Sequence, residues 1–267
     1  MSWNITLKVE KRIVKTGEIF KGFLLEMSNL TRFCLRFFKE VFKPPYEFSE
    51  FAKQSYLVGN KSFLLIASTA IIMGVVLTIQ SRPALAQFGA QSWLPAMVAI
   101  SIVREIGPSI TALIFAGKVG SGIGAELASM KITEQIDAME VSGINPFKYI
   151  VVTRILASTL MLPLLVVFAD TVSLYGSYFA VNLKDNVSIR LFFLQVFKEI
   201  NFSDVFPAFI KTFFFGFAIG LVSCYMGYNA GKGTESVGKA ANSAVVYGSF
   251  LVFIIDMIAV QIASLIT

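Results

Sequence analysis

The 267-residue chain contains no histidine, which removes the commonest metal ligand, the neutral-pH proton shuttle and the base of Ser-His or Cys-His catalysis. Cysteine is nearly as scarce: Cys34 and Cys224 lie far apart, form no CxxC pair and are expected to be free thiols. Charge is in short supply too. Asp, Glu, Lys and Arg make up 15% of the chain, against roughly 25% in a typical soluble domain, too little to cover a water-exposed surface. Apolar residues fill the difference at 55%, with 26 phenylalanines among them, and the composition points to an all-α membrane protein. No metal site is expected.

What charge there is has a formal balance of +6, and its location sets topology. Residues 1–61 hold no apolar run long enough to span a bilayer, which argues against a signal peptide or a conventional anchor. They do show helical periodicity. Phe20, Phe23, Leu24, Met27, Leu30, Cys34, Phe37, Phe38 and Val41 recur at three- and four-residue steps, with Lys15, Lys21, Arg32, Arg36 and Lys39 between them. The expectation is a basic amphipathic helix in the membrane interface over residues 1–45, ended by Pro44-Pro45; a soluble helix packed on a partner is the alternative.

A second region, 46–267, contains apolar runs at about 62–80, 94–117, 149–180, 205–228 and 240–265, each near the roughly 20 residues needed to cross. The third is too long for one upright helix, so it tilts, projects into water or breaks near Pro163 or Gly176. No polar turn interrupts it, and five spans are expected rather than six. With the N-terminus cytoplasmic, 16 Lys and Arg residues of the connecting segments fall inside and 4 outside, so the C-terminus is expected on the outer side. Without the N-terminal segment the margin is only five to four.

Arg104, Glu105, Lys211 and Asp256 fall within these runs, with Asp170 and Arg154 nearer the ends of theirs. Each such charge costs at least a few kcal/mol and as a rule faces a bundle interior or a wet cavity. Helical rise puts the first four in the middle or outer half of the membrane, where cations and carboxylates at one depth suggest an outward-opening polar chamber. Buried ion pairs that only fix packing are the competing explanation. Arg154, near the cytoplasmic edge, is read as a snorkelling residue.

The stretch Gly117-Lys-Val-Gly-Ser-Gly-Ile-Gly-Ala-Glu126 is not a phosphate loop, because Lys118 precedes valine instead of Ser or Thr and no strand leads into it. Small residues at 116, 120 and 124 suit close helix approach or a bend. A short helix is expected at 133–142, capped by Thr133 and closed by Gly143. Glu134, Asp137 and Glu140 share one face and Ile132, Ile136 and Met139 another. So short a helix needs something to dock on, either its own chain or another protein.

The run Arg104-Glu-Ile-Gly-Pro-Ser-Ile-Thr-Ala-Leu-Ile-Phe-Ala-Gly-Lys-Val-Gly-Ser-Gly-Ile-Gly-Ala-Glu126 resembles the MlaE-type permeases. Met130-Lys-Ile-Thr-Glu-Gln-Ile-Asp-Ala-Met-Glu140, Gly143-Ile-Asn-Pro146, Phe209-Ile-Lys-Thr212, Cys224-Tyr-Met-Gly-Tyr-Asn229 and Val237-Gly-Lys-Ala240 extend the similarity from about residue 45 to the end. These are membrane subunits of ABC transporters that move lipids between the two membranes of diderm bacteria, with relatives in mycobacterial Mce systems and plastids. The resemblance implies a multi-pass inner-membrane permease without covalent chemistry of its own. It would act as a homodimer on two ABC ATPase subunits that bind ATP and magnesium, with a periplasmic MCE-domain protein above and often a STAS-domain protein below. No nucleic-acid partner is implied.

The helix between the second and third spans would then be the coupling helix that enters the ATPase, with Met130, Thr133, Glu134, Asp137, Met139 and Glu140 as its contact residues. An outward-open phospholipid pocket would draw on Arg104, Glu105, Lys211 and Asp256. Two rivals stand beside this. One is an ion-coupled secondary carrier using Glu105 and Asp256 as titrating carboxylates, which predicts an inverted repeat that the five unequal spans do not display. The other is a lipid-modifying membrane enzyme, for which the chain lacks both histidine and a nucleophile elbow.

Overall fold

The computed structural model of the chain describes residue 21 and residues 24–266, and no strand occurs among them. Residues 1–46 and 47–267 form two compact units. In the first, residues 24–41 form helix α1, which stops ahead of Pro44 and Pro45. Phe20 and the part of the expected interfacial helix before it lie outside the described residues, as does Phe23.

The second unit contains five helices long and apolar enough to cross a membrane, as the apolar runs predict. All start or end beyond those runs, because hydropathy marks where a helix meets lipid and not where its hydrogen bonding begins. Helix α2 (Phe48–Gln87) is 40 residues long, about 60 Å by helical rise, twice the thickness of a 30 Å hydrocarbon core. The second crossing, Gln91–Ile132, is built from pieces. Helices α3 (Leu94–Ser101), α4 (Gly107–Phe115) and α5 (Ser121–Ile132) are joined by single stretches of π-helix at Ile102–Ile106 and Ala116–Gly120. A short helix α6 (Gln135–Val141) follows, then a third π-helical stretch, Phe147–Val152, that leads into α7 (Thr153–Asp185). After α8 (Ile189–Glu199) come α9 (Phe202–Tyr228) and α10 (Glu235–Ile266).

Helix α7 is the most enclosed of the five crossings and α10 the least. The widest interface is between α2 and α7, and small residues set it. A Cβ on Gly74 would lie 1.9 Å from the carbonyl oxygen of Ser173, and one on Gly176 would lie 2.5 Å from that of Ile71, so neither position can carry a side chain. Ser173 Oγ donates to the Ala70 carbonyl at 2.9 Å and Thr78 Oγ1 to Ser177 Oγ at 2.7 Å. Gly176 is therefore a helix crossing, not the break offered as one solution for the long third run, and α7 also continues through Pro163.

Helix α8 has no counterpart in the sequence reading, which leaves the segment between the third and fourth spans as connection. Its N-terminus is capped by Ser188, whose hydroxyl accepts from the Leu191 N–H at 3.3 Å. Phe192 and Val196 on its inner side join Leu94, Val98, Ala99, Ile102 and Leu174 in one buried cluster. That cluster fixes the start of the π-helical stretch that carries Arg104 and Glu105.

Candidate functional site

The π-helical stretch Ile102–Ile106 inserts one residue into the second crossing and turns Glu105 toward α9 and α10. Lys211 of α9 is only 4% exposed, and its ammonium donates to Glu105 Oε2 at 2.7 Å and to Asp256 Oδ1 of α10 at 2.9 Å. Asp256 accepts a further hydrogen bond through Oδ2 from Ser109 Oγ at 2.6 Å. One buried cation is thus held by two carboxylates from two other helices. At this depth that pairing is what makes the charge tolerable, since a lone buried ammonium costs several kcal/mol.

Of the four charges the sequence groups by depth, three meet. Arg104 does not join them: it is about half exposed and its Nη1 lies 3.5 Å from Asp204 Oδ1. Asp204 was not a candidate in the sequence because it falls at the start of α9, where it also accepts from the Asn201 N–H at 3.1 Å in a capping box. A second residue is repositioned. Asp170, expected near the end of its span, is half-buried and sets its enclosed Oδ1 against Gly107, where a Cβ would clash with it. That oxygen has no hydrogen-bond partner among the described residues. Helical rise gives depth but not direction around the axis, so the sequence could not place Asp170 beside the Glu105 segment.

Lys211 also borders a cavity of about 580 Å³ between α9 and α10. Apart from Lys211 and Ser203 its lining is apolar, with Phe206, Ile210, Phe214, Ile255, Ile258 and Ile262 among the larger side chains. Arg104, Glu105 and Asp256 are not part of that lining. Among the described residues no group of three or more His, Cys, Asp or Glu side chains is arranged to hold a metal ion.

At the opposite end of the helices the snorkelling expectation for Arg154 is corrected. The residue is 3% exposed; Nη2 donates to Glu126 Oε1 at 2.8 Å and Nη1 to the Ile150 carbonyl at 3.1 Å, leaving Nε without a partner. It lies one residue into α7, on the side turned toward α5, and cannot reach out along the bundle surface. Thr133 is corrected too. Its hydroxyl donates to the Ser129 carbonyl at 2.9 Å and so finishes α5 instead of starting α6. Glu134 takes up the turn between them with φ +59°, and α6 begins at Gln135.

The two expected faces of α6 are present. Ile136 is buried and Met139 half-buried, while Glu134, Asp137 and Glu140 are exposed, with Asp137 paired to Lys131 at 2.9 Å. Gly143, with φ +79°, donates to the Glu140 carbonyl and Ile144 to that of Met139, the paired closing bonds of a Schellman motif. Val141 and Ile144 are left exposed beside the acidic face.

The chain has clear relatives in sequence. The model of the permease MlaE family matches residues 51–262. A probable ABC transporter permease protein of Rickettsia typhi is 34% identical over 98% of this chain and 98% of its own length. A probable ABC transporter permease, ycf63, of Pyropia yezoensis is 34% identical over 77% of this chain and 78% of its own. The intermembrane phospholipid transport system permease protein MlaE of Haemophilus influenzae is 32% identical over 79% and 81%. With a family match that takes in every crossing helix and near full-length similarity to named permeases, the chain belongs to the MlaE permease family.

Proposed function

We propose that the chain is the membrane permease subunit of an ATP-driven transporter that moves phospholipid between the inner and outer membranes. The single observation that carries this is the cavity between α9 and α10, an apolar volume of about 580 Å³ with one buried cation in its wall. A glycerophospholipid combines an anionic phosphate with two acyl chains, and such a cavity offers a counter-charge and apolar walls together. Glu105 and Asp256 neutralise Lys211 while no phosphate is near; an arriving phosphate competes with them for the ammonium. Arg104, half exposed beside Asp204, is the second cation available to a headgroup. Relatives named as ABC transporter permeases, and one named for intermembrane phospholipid transport, support the same reading.

The remaining parts of the proposal follow from it. The permease works as a homodimer in the inner membrane, with the N-terminus cytoplasmic and the C-terminus periplasmic. Residues 1–45 lie along the membrane interface, and 46–267 form the permease domain. A separate ABC ATPase binds ATP and magnesium and engages the corner from the end of α5 through α6 by Met130, Thr133, Glu134, Asp137, Met139 and Glu140. A periplasmic MCE-domain protein receives or delivers the lipid, with a STAS-domain protein as a further partner. ATP binding shifts the dimer between open and collapsed lipid cavities as a rigid-body population change. The rival ion-coupled carrier needs Glu105 and Asp256 as titrating groups, whereas both are engaged with Lys211.

The decisive measurement is the phospholipid that co-purifies with the complex. Lys211→Gln combined with Asp256→Asn removes a charge pair together and spares the fold, and Ala259→Trp fills the cavity. Lipid held in this cavity should fall about tenfold in the charge variant, the value of one charge-assisted hydrogen bond, and be lost in Ala259→Trp, with the ATPase still attached. Unchanged lipid in both variants rejects the cavity as the lipid site.

A further inference from the structure

A second cleft opens at the other end of the helices. Two cavities of about 320 and 480 Å³ adjoin there and share Gln54, Leu57 and Glu126. The smaller is bounded by α2 and by the stretch from Lys118 to Glu126, and two of its lining residues are Lys61 and Lys118. Both lysines are exposed, and neither forms an ion pair among the described residues. Their floor is apolar, formed by Leu57, Val58, Val119 and Ile123.

The position of the two cations identifies the surface they share. Lys61 immediately precedes the first apolar run and Lys118 immediately follows the second. The two crossings run in opposite directions, so both lysines stand at the same membrane boundary. Lys118 is 13 residues beyond Glu105, about 20 Å along the helix axis, so this cleft is separate from the Lys211 cavity. Two ammonium groups without ion-pair partners, set over an apolar floor at a bilayer boundary, match a phosphate carried on acyl chains; the one carboxylate of the same lining, Glu126, is already paired with Arg154. A free soluble anion would gain nothing from that floor, and basic pockets between crossing helices are a general way to hold anionic headgroups. The adjoining polar cavity, with Gln54, Tyr149 and Glu126 in its wall, has room and hydrogen-bonding groups for the rest of a headgroup.

We propose that the cleft between Lys61 and Lys118 binds the phosphate of an anionic membrane lipid, at a site distinct from the Lys211 cavity. The inference does not depend on what occupies that cavity. Native mass spectrometry of the full-length chain in detergent tests it, with phosphatidylglycerol, phosphatidylcholine and inorganic phosphate as the three probes. The wild-type chain should retain phosphatidylglycerol in preference to phosphatidylcholine. K61Q and K118Q should each weaken phosphatidylglycerol retention about fivefold and the double variant about thirtyfold, the electrostatic worth of one and two lysines at a charged lipid surface. Both side chains are exposed, so these variants fold. A259W, which closes the other cavity, should leave the phosphatidylglycerol preference intact. Equal retention of the two lipids by the wild type, or undiminished phosphatidylglycerol on K61Q/K118Q, overturns the proposal. Loss of the preference in A259W overturns the separation of the sites. Inorganic phosphate bound as tightly as the lipid, with the same lysine dependence, overturns the lipid assignment in favour of a free anion.

Discussion

A buried arginine and a buried lysine sit at opposite ends of this helix bundle, and their partners differ in a way that predicts different mutational costs. Lys211 is enclosed with two carboxylates, of which Asp256 is itself largely enclosed. Arg154 is 4% exposed in its side chain, whereas its partner Glu126 is 55% exposed. The Arg154–Glu126 pair should therefore respond asymmetrically. Removing the arginine leaves a carboxylate that water can solvate, a loss of about 1 kcal/mol in line with exposed pairs. Removing the carboxylate strands a guanidinium whose Nε already lacks a partner, a loss of about 3 kcal/mol in line with broken buried pairs. Thermal unfolding of the purified protein should rank Glu126→Ala well below Arg154→Met. The reverse order would mean that Arg154 is hydrated in the native state. At this scale the sequence reveals residue type and depth. It placed Lys211, Glu105 and Asp256 together because each lies a known number of residues from the end of an apolar run. It could not pair Arg104 with Asp204, nor bring Asp170 to Gly107, because those contacts depend on how each helix is rotated about its axis.

Whole elements were more legible than contacts. An apolar run near 20 residues is a strong physical signal, since within a bilayer a single segment satisfies its own backbone hydrogen bonds only as a helix, and all five runs became helices. The π-helical stretches left no mark in the composition. They arise from packing, and one of them carries Arg104 and Glu105. Helix α8 was hidden for another reason: its 11 residues mix apolar and basic side chains and are too short to read as a span. Helix α6 was legible down to its two faces, though not in its first turn, where Thr133 serves the preceding helix. Its exposed acidic residues are the basis of a prediction at this scale. Glu134→Lys, Asp137→Lys and Glu140→Lys together reverse a face that makes no packing contribution, so the protein should fold and insert normally. The ATPase should no longer co-purify with it. The change at Asp137 also loses the Lys131 pair, worth less than about 1 kcal/mol at the surface, too little to confuse the result. Retention of the ATPase by the triple variant would remove α6 from the coupling role.

For the molecule as a whole, the charge distribution favours the proposed orientation, with the α6 end in the cytoplasm. Alternating crossings put Lys61, Lys118, α6 and Arg154 at one end and α8, Arg104 and the Lys211 cavity toward the other. Of the lysines and arginines in the connecting segments after residue 46, seven belong with the first end and four with the second. The bias is the one that retains a segment in the cytoplasm during insertion. In the proposed transporter the same orientation turns α6 toward an ATP-hydrolysing partner and the Lys211 cavity toward the side on which lipid would be exchanged with another membrane. The two native cysteines are free, so a chain with Cys34→Ser and Cys224→Ala provides a clean background for single thiols. In intact cells with a permeable outer membrane, a membrane-impermeant maleimide should label Lys198→Cys on exposed α8 and spare Ser142→Cys beside α6. Disrupting the inner membrane should make Ser142→Cys react. Labelling of Ser142→Cys in intact cells, with Lys198→Cys protected, would invert the protein, put α6 out of reach of ATP, and reject the coupling role of α6 along with the orientation.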